Sequence, residues 1–112
     1  MKFIPTGSLR SSDVPSHEAA WGKISQFALS FNGYEWAGAL ECGDLANSTR
    51  QQYERSPERQ LPTLTLDELR ACLFFEQRRF HHFGEEPQLT DLVYIRALVQ
   101  GISEGLSKGA VG

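Results

Sequence analysis

TLDELRACLFFEQRRFHHFG, residues 65–84, decides how this chain folds. Thr65 and Glu68 have the spacing of a capping box, in which a hydroxyl and a carboxylate satisfy each other's backbone amides at a helix start. Leu66, Leu69, Leu73, Phe80 and Phe83 then recur on one helical face, and Gly84 is placed to end the helix in a left-handed conformation. At about 100° per residue, Glu76 falls inside that apolar stripe. A carboxylate there needs a partner, because burying it alone costs several kcal/mol or forces it to keep its proton.

Downstream, Leu92, Ile95, Val99, Ile102 and Leu106 alternate steps of three and four, which predicts a second amphipathic helix over 89–107 with a frayed tail at 107–112. Gly101 and Gly105, one turn apart, leave a groove on it where another helix can come close.

Upstream, Cys42, Leu45, Ala46, Thr49 and Tyr53 form a weaker stripe from about Leu40 to Arg55. Ser56-Pro57 closes it, since a residue before proline avoids helical geometry. Before that, Ser16 is a candidate helix cap, Trp21, Ile24, Phe27, Ala28 and Phe31 supply an apolar face, and Asn32-Gly33 a stop. Asn-Gly is also a strong hairpin signal, and Phe31 to Trp36 alternates around it, so an α+β fold with a small hairpin is the rival expectation. Residues 1–15, with Pro5, Gly7, Pro15 and several serines, read as an irregular leader. The sequence thus predicts one all-α domain over 1–112, a compact bundle of about four helices.

Length and composition agree with a single packed domain. The chain has 112 residues, 40% hydrophobic and 22% charged, which fits one core and neither a disordered nor a fibrous class. A net charge of −3 gives no global field toward nucleic acid or an anionic membrane. The N-terminus carries no apolar run of the signal-peptide kind and no stretch is long enough to span a bilayer, so the expected compartment is cytoplasmic and no membrane partner is expected. Cys42 and Cys72, without partners at metal or redox spacing, read as reduced structural thiols.

Two groups of residues are candidates for chemistry. The first is Glu76 with Arg96 as the expected cross-helix partner and Arg79, three residues on, as a second. It is either a buried polar pair or the lining of a ligand pocket. The second is the row Arg70, Phe74, Arg78 and His82, at steps of four on the other side of the same helix, with His81 beside it. Cations interleaved with rings suit an acidic or planar partner. His81-His82 and Glu85-Glu86 do not make a metal site, since adjacent helical histidines diverge by about 100° and Gly84 to Pro87 breaks the geometry. No metal or cofactor is expected, and no phosphate cradle, nucleophile elbow or activated cysteine is present.

The expectation is therefore a non-catalytic protein-binding or regulatory module that uses Arg70, Phe74, Arg78, His81 and His82, with homodimerisation as one form of it. Trp21, Tyr34 and Trp36 are further candidate anchors. Two alternatives belong to other classes. One is nucleic-acid binding through Arg70, Arg78 and Arg79, disfavoured by the negative charge; the other is a small enzyme or ligand-binding protein built on Glu76 and Arg96.

Overall fold

The computed structural model describes residues 14–16, 18–29 and 42–111, without the side chains of residues 42, 43, 81–83 and 108–111. The described residues form four helices and no strand: α1 (Trp21–Leu29), α2 (Cys42–Arg55), α3 (Leu66–Phe83) and α4 (Leu89–Val111). The fold is all-α. The hairpin expected around Asn32-Gly33 lies outside the described residues, as do the leader before Val14 and the anchors Tyr34 and Trp36.

Helix α3 is the centre, packing against α1, α2 and α4 in turn. Its start is the capping box read from the sequence: the Thr65 amide donates to Glu68 Oε1 at 2.9 Å, and the Glu68 amide to Thr65 Oγ1 at 3.2 Å. Its end is a Schellman turn, with Gly84 at φ 65° and the Glu85 amide donating to the Phe80 carbonyl at 3.2 Å. A short connection then leads into α4, where the Gln88 amide donates to Asp91 Oδ2 at 3.0 Å, the carboxylate half of a capping box.

Two helix ends differ from expectation. Ser16 caps a separate turn, accepting from the Glu18 amide and, through its carbonyl, from Ala19; α1 itself begins five residues later, with the Ala20 carbonyl accepting from Lys23 and Ile24. Helix α4 continues to Val111 instead of fraying at residue 107, since no proline interrupts its ladder.

The core consists of Ile24, Phe27 and Ala28 of α1, Ala46 and Tyr53 of α2, Leu69, Ala71, Cys72, Leu73 and Phe80 of α3, and Tyr94, Ile95, Leu98, Val99 and Ile102 of α4. Each large aliphatic side chain sealed there contributes about 1.5–3 kcal/mol. Trp21 meets Phe80 edge to face at 5.8 Å, and Gln77 donates to Ser25 Oγ at 3.2 Å, which fixes α1 on α3. At Gly101, Leu69 of α3 and Leu61 before it come close to α4: a Cβ there would meet Leu69 Cδ2 at 3.3 Å and Leu61 Cδ1 at 3.7 Å. Leu69, Leu61 and, at Gly105, Leu66 of the same chain reach the groove read from the glycine spacing, which remains one wall of an open recess.

Candidate functional site

The stripe of α2 contains a charge. Ala46, Thr49 and Tyr53 are buried, and Arg50 completes their i, i+3, i+4, i+7 pattern, so its guanidinium is carried inward between α3 and α4. There it holds three carboxylates. Nη1 donates to both oxygens of Glu76 at 3.3 and 3.4 Å, Nε donates to Glu54 Oε1 at 3.0 Å, and Nη2 donates to Asp91 Oδ1. One planar fork thereby ties α2 to α3 and α4. Arg79 adds a weaker contact to Glu76 at 3.7 Å, and Arg50 lies 5.5 Å from the centre of the Tyr94 ring.

Glu76 is 2% exposed, as its place in the stripe requires. Its partner, however, is not Arg96. Asp91 and Tyr94 face the knot from α4, and Arg96 lies five residues past Asp91, about 140° further round that helix. Arg96 is half-buried on another face, with its Nε atom buried and without a hydrogen bond. The Arg79 contact follows the i, i+3 spacing expected of it.

Burial and charge pull these groups in opposite directions. Burial pushes the Glu76 carboxyl above its ordinary range, against the attraction of Arg50 and Arg79. For Asp91 burial works the same way, but the Arg50 hydrogen bond and the Gln88 amide outweigh it and hold the group below its ordinary value. Burial works against the charged form of Arg50 too, and its bonds to Asp91 and Glu54 more than compensate, keeping its proton on. Tyr94 is pushed up by burial and then by the neighbouring Cys72 and Glu76, so it stays neutral.

Arg70 needs a second correction. Expected on an exposed row, it is fully buried, because α3 is covered on several sides by the other helices. Phe74 is half-buried and Arg78 exposed; the side chains of His81 and His82 lie outside the described residues. Arg70, Phe74 and Arg78 do not form one continuous solvent-facing strip. Cys72 is a buried thiol that donates to Thr49 Oγ1 at 3.6 Å; the side chain of Cys42 lies outside the described residues.

The open surface lies next to the knot. Leu89 and Val93, 72% and 46% exposed, stand one turn apart at the start of α4. Beside them a recess of about 480 Å³ is lined by Tyr53, Glu54, Arg59, Thr90, Val93 and Tyr94. Arg59 adopts φ 54° and donates from Nη1 to the Glu54 carbonyl at 3.3 Å, closing the end of α2. Sequence reasoning missed this edge, although Leu89 and Val93 fall off the α4 stripe and were visible as apolar residues on its polar side.

Among the described residues no helix is long and apolar enough to cross a membrane, and no three His, Cys, Asp or Glu side chains gather as metal ligands. Comparison with protein-family models, with curated proteins and with solved structures found no match.

Proposed function

We propose that this chain is a non-catalytic binding module that engages a protein through the edge formed by the end of α2 and the start of α4. The observation that carries the proposal is the exposure of Leu89 and Val93 one turn apart, with Val93 lining a recess that Tyr53 and Tyr94 also line. Apolar residues clustered beside a concave surface mark contact sites more often than isolated ones do. The charged residues support the same reading from the other side. Glu76, whose proton affinity is raised, is sealed and bridged by Arg50 and Arg79, so it is poorly placed to reach a substrate.

The surface differs from the one expected on α3. With Arg70 buried, Phe74 and Arg78 offer less of a contact there, and Arg79 is already drawn to Glu76 and to the Phe80 ring at 5.6 Å. The same facts weaken a phosphate-binding reading, which needs several free cations on one face.

The test compares the wild-type chain with Val93→Glu as immobilised bait, with thermal unfolding of both run alongside. Capture that falls at least about tenfold in the variant at unchanged melting temperature is expected, since a carboxylate placed in an apolar contact loses about 1.4 kcal/mol or more. Equal capture by both chains, or none by either, ends the proposal.

A further inference from the structure

We infer that the occupant of this edge is a second copy of the chain, docked by two-fold rotation. This rests on the binding-module reading and names its partner. A two-fold contact needs a patch that is complementary to itself. The edge meets that condition in shape, because exposed Val93, with Leu89 one turn before it, borders the recess that Tyr53 and Tyr94 also line. A half-turn about an axis through the recess brings the Val93 border of one copy against the recess of the other.

It meets the condition in charge as well. The recess carries one exposed carboxylate, Glu54, and one exposed guanidinium, Arg59. A half-turn about an axis passing between them opposes Glu54 to Arg59 of the partner subunit, and does so twice. A partner of uniform charge meets one attraction and one repulsion at the same place. Both groups are also held before association: Glu54 Oε1 accepts from Arg50, and Arg59 is tied to the Glu54 carbonyl. Side chains already ordered lose less freedom when the contact forms.

Sedimentation velocity on the full chain, over a hundredfold concentration range reaching about 100 µM, reads the dimer directly. The wild type is expected to shift from monomer to dimer within that range. Val93→Glu should weaken association at least about tenfold, and Arg59→Glu should do the same by setting carboxylate against carboxylate. Glu54→Arg should also be monomeric alone, yet an equimolar mixture of Glu54→Arg and Arg59→Glu should dimerise, because both cross-contacts then pair opposite charges. Glu54 touches Arg50, so melting curves accompany that variant; if it does not fold, Val93→Glu and Arg59→Glu carry the test by their separate losses.

A wild type that stays monomeric throughout, or a dimer indifferent to both substitutions, overturns the inference. The two proposals fail separately. A monomer that captures a different protein through Val93 removes the two-fold contact and leaves the binding module; a monomer without Val93-dependent capture removes both.

Discussion

Leu89 and Asp91 are two residues apart on α4 and about 200° apart around it, and they invert the usual rule. The acid is turned in, where Arg50 and the Gln88 amide compensate it; the leucine is turned out, 72% exposed. Tyr94 joins the two regions, with its ring beside Arg50 on one side and forming a wall of the recess on the other. The comparison teaches which irregularities belong to folding. A buried carboxylate bridged by a guanidinium from another helix fixes how three helices meet, whereas an exposed leucine adds nothing to the core and, on the proposed reading, is left for a partner.

Breaking the knot should have the largest effect. Arg50→Ala leaves Glu76 buried with only the longer Arg79 contact and strips Asp91 of its cross-helix partner. Orphaning buried charge in this way costs about 3 kcal/mol or more. Urea unfolding should show the midpoint falling with its slope unchanged. A loss below about 1 kcal/mol would mean that packing alone sets the helix arrangement and that the knot is an ornament of it.

Acid separates two of the three carboxylates in the knot, Asp91 and Glu76. Asp91 has a folded proton affinity below its ordinary 3.8, so the stability it gives is fully present above that pH and is lost as pH falls through the lower folded value. Glu76 is shifted the other way from its ordinary 4.5: the native state binds its proton more tightly, so falling pH favours the fold until 4.5 is passed. The gap in unfolding free energy between wild type and Asp91→Asn, about 1–2 kcal/mol at neutral pH for a cap that also accepts from a cation, should therefore close in acid below pH 3.8. Over the range above 4.5, the stability of the wild type relative to Glu76→Gln should rise as pH falls. Parallel curves for the two variants would show that burial does not distinguish these sites.

Thr65→Ala gives a smaller step, about 1 kcal/mol in the same measurement, because the cap acts on one helix end and touches neither region. A loss well beyond 2 kcal/mol would mean that the N-terminus of α3 also depends on the hydroxyl for its packing.

The helices were legible in the sequence where local chemistry decides them. The Thr65-Glu68 box, the Gly84 stop and the stripe holding Glu76 involve residues within a few turns of one another. The partner of Glu76 was not legible in the same way, since Arg50 is 26 positions away and only the packing angle of α2 selects it over Arg96. A signal was present nevertheless: Arg50 interrupts the stripe of α2 as Glu76 interrupts that of α3, and two opposite charges in two core-facing stripes belong together. Arg70 misled for a related reason. Steps of four define a face but not whether it meets solvent, and a central helix has little outer face to offer.

Leu89→Gln should have the smallest effect on folding. The side chain is 72% exposed and lies outside the buried core, and glutamine has nearly the helix preference of leucine. Unfolding free energy should stay within about 0.5 kcal/mol of wild type, the range of ordinary surface changes. Association through the α2–α4 edge should nonetheless weaken, because the ridge loses its apolar end. A stability loss above about 1 kcal/mol, with association intact, would show that Leu89 is covered from within its own chain; the contrast with Asp91 would then disappear, and the exposed edge with it.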